Sequence, residues 1–327
     1  MCGFFGSVGP HLSSSRKDSI LQHLNTRGPT SHGFTSFPFR GRSLTFIHSR
    51  LAIQDLTEYS NQPFSVDAFG LSTIYNGEIY NLSFLKSILK SYATQVCLSD
   101  TELILYLYHY LGIECFSLLS GIFSIAIFDH NKEQIILARD RLGIKPLYYH
   151  ASYSGFEFGS TVHSLSLAQA VSHNNLSQSA IASYSLWGSV DAPSSIYSHI
   201  EEFPAGSVGV FSTELSIQPF PSHPAFVDRS LTDFLNLFDS AISEQLVGVD
   251  HACVFLSGGL DSSLLATSIS SKLPGSTTSL SLSFPDFSKI DEHSSSAYVA
   301  NSLCINHCTV PVTLFILEHT FDDFIGH

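Results

Sequence analysis

Residues 254–270, VFLSGGLDSSLLATSIS, hold the clearest local fold signal in the chain. A short apolar run of strand type leads into two glycines, and an aspartate and two serines then open a helical segment. Glycines at such a junction let backbone N–H groups and the helix N-terminus face a bound phosphate. The stretch predicts a nucleotide-phosphate loop. It is not a Walker loop, which requires a lysine and wider glycine spacing.

The segments on either side of this loop alternate between helix and strand patterns. An amphipathic helix precedes it at 231–248, and strand, helix and strand patterns follow at 278–284, 293–303 and 307–312. This alternation is typical of parallel βαβ units and predicts an α/β parallel sheet. A final helix is expected at 315–326, which leaves this sheet incomplete, with an apolar flank and an exposed edge.

The sequence before residue 230 has a different pattern, with many predicted strands and few predicted helices. Strand or hairpin patterns occur at 44–53, 71–75, 121–140, around Ser154-Gly155, and at 203–211. Helices are expected at 82–92, at 99–112 with Asp100 as the N-cap, and within 164–185. NGEIYN (76–81) reads as a turn, and three prolines within 219–224 indicate a linker.

Composition narrows the possible classes of protein. A chain of 327 residues suits two domains, and no apolar run is long enough to span a membrane. With 15 Lys and Arg against 28 Asp and Glu, the net charge of −13 argues against nucleic acid or an anionic membrane as a partner. The N-terminus lacks the features of a secretory signal, and six scattered cysteines indicate reduced thiols in a cytoplasmic protein.

The cysteine at position 2 is a candidate nucleophile. Removal of Met1 would make Cys2 the first residue, so that one residue carries both a thiol and an α-amino group. The amine, with a pKa near roughly 8, can accept the thiol proton directly or through a water molecule. On its own the position is weak evidence, because any protein can carry a cysteine there.

Further motifs give Cys2 a context. Seven occur in one order: MCGFFG (1–6), RGP (27–29), HSRLAIQDL (48–56), NGEIYN (76–81), SDTE (99–102), ARDRLGIKPLYY (138–149) and FPAG (203–206). Together they resemble the glutaminase domain of the asparagine synthetase family, a class II glutamine amidotransferase with an N-terminal-nucleophile fold. The resemblance implies an α+β domain of four αββα layers at 2–212, a linker at 213–229, and the N-terminal part of an ATP-pyrophosphatase domain, apparently truncated, at 230–327.

This resemblance assigns roles to six residues of the glutaminase domain. Cys2 would attack the side-chain amide of glutamine, and Asn76 and Gly77 would stabilise the resulting oxyanion. Arg50 would bind the α-carboxylate of glutamine through its guanidinium group, and Glu78 and Asp100 would bind the α-ammonium group. Each of these residues also has an ordinary structural reading, such as a helix cap for Asp100, and only their joint occurrence favours the site.

It also assigns roles in the phosphate loop. The implied ATP-binding residues are Leu256, Ser257, Gly258, Gly259, Asp261, Ser262, Ser263 and Leu282. Ser257 and Ser263 would bind pyrophosphate, Leu256 and Leu282 would contact adenine, and Asp261 would help to hold Mg²⁺. No prosthetic group is implied. The small-molecule partners are glutamine, ATP and aspartate, and a homodimer is possible.

Two departures from the family pattern and several alternative functions remain open at this stage. Thr30 replaces an aspartate after RGP, and Thr161 and His163 replace a Glu and a Lys in a segment that faces the second domain in the family. The protein is expected to be a glutamine-dependent asparagine synthetase. The alternatives are a truncated or split glutaminase, an amidotransferase for another carboxylate, and a regulatory module with an inactive synthetase half.

Overall fold

The computed structural model describes residues 2–9, 11–52, 57–92, 99–153, 155–169, 175–221, 230–287, 289, 291–314 and 316. The chain divides into two compact units, Met1–Ala225 and Phe226–His327. Each unit has a hydrophobic core of its own. Several predicted features lie wholly or partly outside the described residues, namely 53–56 of the HSRLAIQDL motif, Ser154, the linker segment 222–229 and nearly all of 315–326.

The first unit is built on two six-stranded antiparallel sheets. Its strands are β1 (Gly3–Gly9), β2 (Ser31–Phe39), β3 (Arg42–Arg50), β4 (Phe64–Val66), β5 (Leu71–Ile79), β6 (Gly121–Asp129), β7 (Gln134–Arg139), β8 (Tyr148–Ser152), β9 (Gly155–Gly159), β10 (Glu201–Glu202), β11 (Ser207–Phe211) and β12 (Leu215–Pro219). The first sheet has the order β10-β8-β9-β1-β3-β2, and the second has the order β12-β11-β7-β6-β5-β4.

Helices cover the outer face of each sheet. They are α1 (Ser14–Asn25), α2 (Leu82–Leu89), α3 (Asp100–Leu111), α4 (Val162–Gln169) and α5 (Gln178–Trp187). Because side chains alternate along a strand, Phe4 of β1 packs between the sheets while Phe5 packs against Leu24 of α1 and Leu165 of α4. The other helical layer, α2 and α3, packs on the second sheet. The predicted four-layer αββα arrangement is therefore confirmed.

The second unit contains a three-stranded parallel sheet with the order β13-β14-β15. Its elements are α6 (Leu231–Gln245), β13 (Ala252–Phe255), α7 (Leu260–Lys272), β14 (Thr277–Ser283), α8 (His293–Ser302) and β15 (Asn306–Pro311). Val254, Leu256, Ala266 and Ala300 form its buried core. The predicted βαβ alternation is confirmed.

Three local predictions need correction. The segment 76–79 is not a turn, because Asn76 and Glu78 continue β5 and pair with Ser124 and Ile122 of β6. Asn and Gly favour turns in isolation, but pairing across the sheet outweighs that preference here. Helix α3 is capped by the Ser99 hydroxyl, which accepts the Glu102 N–H at 3.1 Å, so Asp100 is the first helical residue and not the cap.

The predicted linker 213–229 overlaps an edge strand. Leu215–Pro219 forms β12 and pairs with β11, whose residues Ser207–Phe211 also pair with β7. Proline is tolerated at the end of an edge strand because its missing N–H costs no ladder hydrogen bond there. The cluster of prolines is therefore the reason why the sequence predicted a linker where β12 lies. In the described part of the chain, no helix has the length and apolarity needed to cross a membrane.

Candidate active site

A cavity of about 680 Å³ lies in the first unit and gathers residues from distant parts of the sequence. Five of the predicted glutaminase residues line it, namely Cys2, Arg50, Gly77, Glu78 and Asp100. The sixth, Asn76, is not in the lining and is 1% exposed. The volume falls in the range of roughly 300–1,000 Å³ that is usual for small-molecule sites.

Cys2 lies directly before β1, a strand held between β3 and β9. Its Sγ accepts a hydrogen bond from the Leu51 backbone N–H at 3.4 Å, and the Arg27 Nε–H donates to the Cys2 carbonyl oxygen at 3.3 Å. Burial raises the pKa of the Cys2 thiol, and the Leu51 N–H only partly offsets this effect. The thiol therefore needs a base to become a nucleophile near neutral pH.

The backbone of β5 is open towards the cavity at Gly77. The Tyr80 N–H donates to the Ser120 carbonyl at 2.8 Å, so the even-numbered residues of β5 direct their backbone groups towards β6 and the odd-numbered ones direct theirs away. Strand β4 pairs only with Leu71–Thr73 and ends before it reaches Gly77. Among the described residues no strand pairs with this edge at Gly77, and the Gly77 N–H lies on it beside the cavity.

Close packing explains why residue 77 is a glycine. A Cβ atom at Gly77 would lie 2.1 Å from the Ile122 carbonyl oxygen and 2.7 Å from the Phe123 Cα. The neighbouring Asn76 has a buried Nδ2 with no hydrogen-bond partner among the described residues. Such a buried donor costs about 1–3 kcal/mol. A backbone N–H and an unpaired amide donor on adjacent residues are the components that an oxyanion hole requires.

Arg50 is a buried cation at the end of β3, with 7% exposure. Its Nη1 donates to the Thr57 carbonyl at 2.8 Å and to Asn61 Oδ1 at 3.0 Å. The Ser31 hydroxyl also donates to Asn61 Oδ1, at 2.8 Å. These contacts fix the direction of the guanidinium group at the cavity wall, where it is suited to bind a carboxylate.

Glu78 and Asp100 place two carboxyl groups in the same cavity. Burial and, to a lesser extent, the neighbouring Asp100 raise the pKa of Glu78 to about 7, and Lys145 opposes the shift. Burial also raises the pKa of Asp100, against the hydrogen bonds that Asp100 Oδ1 accepts from the Thr101 N–H at 2.7 Å and hydroxyl at 3.3 Å. A ligand cation would relieve the repulsion between two ionised carboxylates, so this wall is suited to an ammonium group.

Asp140 supports the site without lining its cavity. Its carboxylate is buried and accepts four backbone N–H groups, from Phe123, Leu142, Ile144 and Lys145, at 2.9–3.2 Å. The cavity also contains Gln62, Tyr75 and Thr101, which sequence reasoning missed because isolated polar residues show no periodicity.

The departures from the family pattern have defined contacts. The Thr30 hydroxyl accepts the Ala52 N–H at 3.2 Å and so holds the segment beside the cavity. Thr161 Oγ1 lies 3.0 Å from His23 Nε2, and the His163 ring lies 4.6 Å from the His23 ring. Both residues therefore contact α1. Their effect on communication between the units stays a prediction.

The phosphate loop of the second unit follows β13 as the sequence predicted. Ser257 and Ser262 tie the loop together, because their hydroxyl oxygens lie 3.1 Å apart and the Gly259 N–H donates to Ser257 Oγ at 3.2 Å. Gly258 has a φ of +84°, and a Cβ there would lie 2.6 Å from the Ser295 Cβ. Only glycine fits this left-handed, crowded position. The loop then enters the N-terminus of α7.

The predicted nucleotide residues divide between a cavity and this loop. Leu256, Ser257 and Leu282 line a cavity of about 390 Å³, whereas Gly258, Gly259, Asp261, Ser262 and Ser263 follow in the loop and the first turn of α7 without lining it. Ser263 Oγ is buried without a partner among the described residues. The glycine turn, this hydroxyl and the helix N-terminus fit a phosphate group.

One carboxylate in this loop is available for a metal ion. Asp261 lies in the first turn of α7. Among the residues that the structure describes, no group of three or more His, Cys, Asp or Glu side chains could form a metal site. Because Mg²⁺ is usually held by one or two carboxylates together with substrate phosphates and water, a single Asp261 fits this ion in the presence of ATP.

Comparison with known proteins agrees with this geometry. The chain matches the glutamine amidotransferase domain family over residues 1–220 and the asparagine synthase family over residues 233–327. It is 29% identical over 288 residues to a putative glutamine-hydrolysing asparagine synthetase 2 of Methanocaldococcus jannaschii, covering 80% of this chain and 56% of the relative. It is 32% identical over 282 residues to the glutamine-hydrolysing asparagine synthetase 3 of Bacillus subtilis, covering 81% and 44%.

A solved structure supports the fold. The allosteric regulatory enzyme of purine biosynthesis aligns with a TM-score of 0.50 at 15% identity, covering 94% of this chain and 65% of that one. The chain spans about half the length of the curated relatives that it matches. The family matches extend over most of the chain, in the order glutamine amidotransferase domain and then asparagine synthase domain. The chain therefore belongs to the glutamine-hydrolysing asparagine synthetase family.

Proposed function

We propose that the first unit hydrolyses glutamine to glutamate and ammonia with Cys2 as the nucleophile. The observation that carries this proposal is the single cavity that joins Cys2, Arg50, Glu78 and Asp100 beside the open edge of β5 at Gly77. A cation on one wall and two carboxylates on another match the α-carboxylate and α-ammonium groups of a free amino acid.

The reaction follows from these positions. After removal of Met1, the α-amino group of Cys2 takes the thiol proton, and the sulfur attacks the Cδ carbon of glutamine. The Asn76 amide and the Gly77 N–H donate to the oxyanion that forms on the former carbonyl oxygen. The amine returns the proton to the leaving nitrogen, and cleavage of the C–N bond releases ammonia and leaves a thioester. Water then adds to the thioester, and glutamate leaves with regeneration of the thiol.

We further propose that the ammonia is used for asparagine synthesis by the complete protein. ATP would bind at the loop of Ser257–Ser263, between the adenine contacts of Leu256 and Leu282, with Asp261 holding Mg²⁺, which offsets the phosphate charge. The β-carboxyl group of aspartate would be adenylated with release of pyrophosphate, and ammonia would displace AMP. In this scheme the first unit, which includes β12 (Leu215–Pro219), forms the glutaminase domain, and residues 230–327 form the beginning of the synthetase domain.

Glutamate release by purified protein tests the first step. Intact-mass measurement must first establish that Met1 has been removed. We expect glutamine hydrolysis by the wild type, loss of at least about a thousandfold in Cys2→Ala, and no change in Cys308→Ala, a matched control with an exposed thiol on β15. Unchanged hydrolysis in Cys2→Ala would refute the proposal.

Pyrophosphate release from ATP tests the second step. The dependence of this release on aspartate, measured against other carboxylic acids, identifies the acceptor. Release that depends on a different acid would move the protein to another amidation reaction within the family. Release by the Ser257–Ser263 loop without any acceptor dependence would contradict a synthetase role.

A further inference from the structure

The peptide groups of Tyr75 lie on the same open edge of β5 as Gly77. Both residues are odd-numbered in the strand and direct their backbone groups away from β6, and β4 ends opposite Thr73. Two side chains take the place of the missing strand. The Tyr75 N–H donates to Gln62 Oε1 at 2.6 Å, and His48 Nε2 donates to the Tyr75 carbonyl at 3.1 Å.

Gln62 also connects this edge to the ammonium side of the cavity. Its side chain is 8% exposed and lines the cavity. Its Nε2 donates to Thr101 Oγ1 at 3.5 Å, and the Thr101 hydroxyl donates to Asp100 Oδ1 at 3.3 Å. A chain of hydrogen bonds therefore runs from the β5 backbone to the first turn of α3, through a residue that belongs to neither element.

His48 reaches the same peptide from the other sheet. It lies on β3, is fully buried, and stands two residues before Arg50. Burial lowers the pKa of His48 to about 4, so the ring is neutral near pH 7. A carbonyl oxygen only accepts hydrogen bonds, so the proton of the neutral ring lies on Nε2. The bond links the two sheets at the residue that precedes Asn76.

We propose that Gln62 and His48 are positioning residues of the oxyanion hole. They hold the Tyr75 peptide and thereby fix the positions of the adjoining Asn76 amide and Gly77 N–H, and Gln62 also couples this hole to Asp100. The proposal rests on the glutaminase function proposed above. Neither residue touches the reacting atoms in this assignment, and both act through the backbone of β5. Pre-organised donors need this support, since an oxyanion hole acts through fixed geometry.

Two substitutions of Gln62 separate its two roles. Gln62→Met leaves the Tyr75 N–H without an acceptor, and we expect kcat for glutamine hydrolysis to fall by about ten- to a hundredfold, less than the loss of a donor itself. Gln62→Glu keeps an acceptor for that N–H but cannot donate to Thr101, and its carboxylate competes with Asp100 for the Thr101 hydroxyl. We therefore expect kcat within about threefold of the wild type and KM raised about tenfold or more.

Substitutions of His48 test the proposal independently of Gln62. His48→Leu removes the donor to the Tyr75 carbonyl, and we expect a loss in kcat of the same order as in Gln62→Met. His48→Gln retains an amide donor that can reach the same carbonyl, and we expect it to recover most of the lost kcat. The matched control is Gln22→Met, an exposed glutamine on α1 outside the cavity, which should leave both kinetic constants unchanged.

Alkylation of Cys2 by iodoacetamide distinguishes a misfolded variant from a misaligned hole, because alkylation needs the thiol but no oxyanion hole. We expect the variants to label at the wild-type rate while their kinetic constants change as described. Wild-type constants in both Gln62→Glu and His48→Leu would overturn the inference, as would activity losses that only follow lost labelling. An inactive wild type with a reactive Cys2 would instead refute the proposed glutaminase function.

Discussion

The ionised carboxylate of Glu78 should lower the free energy of unfolding, although we propose that it helps to bind the α-ammonium group of glutamine. Burial raises its pKa from 4.5 to about 7, and one pKa unit corresponds to about 1.4 kcal/mol. The ionised form is therefore disfavoured in the folded protein by about 3 kcal/mol, reduced to roughly 2–3 kcal/mol because the group is partly open to solvent. Glu78→Gln removes this penalty and should stabilise the first unit at pH 8.

The sign of the pH dependence follows from the direction of the shift. Below pH 4.5 the carboxyl group is protonated in both folded and unfolded protein, so it imposes no penalty. As the pH rises the unfolded chain ionises first, and the penalty grows until the folded group also ionises near pH 7. The advantage of Glu78→Gln should therefore be about 1 kcal/mol at pH 5.5 and reach its maximum above pH 7.

Urea unfolding of the wild type and Glu78→Gln between pH 5 and pH 8 measures this effect. At pH 8 we expect a gain of about 2 kcal/mol or more, which corresponds to a rise in Tm of roughly 4–8 °C for a unit of this size. Glu214→Gln, at an exposed carboxylate between β11 and β12, is the matched control and should change stability by less than about 0.5 kcal/mol. A Glu78→Gln variant that is less stable than the wild type at pH 8 would show that the buried carboxylate does not destabilise the folded protein.

Four further predictions follow from the geometry. Asn76→Ala should lower kcat for glutamine hydrolysis by about 10²–10³-fold with little change in KM, because it removes an oxyanion donor; equal kcat values would exclude that role. Arg50→Lys should raise KM about tenfold or more in steady-state assays, since lysine lacks the planar fork that binds a carboxylate. The fall of kcat/KM for glutamine with decreasing pH should steepen below about pH 7, where Glu78 gains a proton in addition to the Cys2 α-amino group, and a pH profile of Glu78→Gln should lack this extra slope. Gly258→Ala should abolish ATP binding in a titration, because residue 258 has a φ of +84° and a Cβ would meet Ser295.

Much of the fold could be predicted because its elements have strong local patterns. The alternation of helix and strand after residue 230 and the hairpin of β6 and β7 follow directly from periodicity and turn residues. The segment Asn76–Ile79 could not be read in this way, because its preference for a turn is overridden by pairing with β6. Likewise β12 was missed because it depends on the edge that β11 offers and because the proline cluster begins at its last residue, Pro219.

In the candidate site, too, some residues could be predicted from the sequence and others could not. Cys2, Arg50, Glu78 and Asp100 were named from motifs, and the structure brings them to one cavity. Gln62 and His48 were not singled out, because their roles depend on a strand edge that is visible only when β4 ends short of Tyr75. No composition or spacing rule reports where a neighbouring strand stops. The predicted phosphate loop follows β13 as one segment, but only Leu256 and Ser257 at its start line the neighbouring cavity, and phosphate binding by the loop stays a prediction.

The most direct test of the account is detection of the covalent intermediate on Cys2. Protein with a free N-terminal Cys2 is mixed with glutamine, quenched in acid during turnover, and examined by intact mass and by peptide mapping. We expect a mass increase of one glutamyl group, located on the N-terminal peptide and absent from Cys2→Ala. Turnover of glutamine with no adduct on Cys2, or an adduct on another residue such as Lys145, would contradict it.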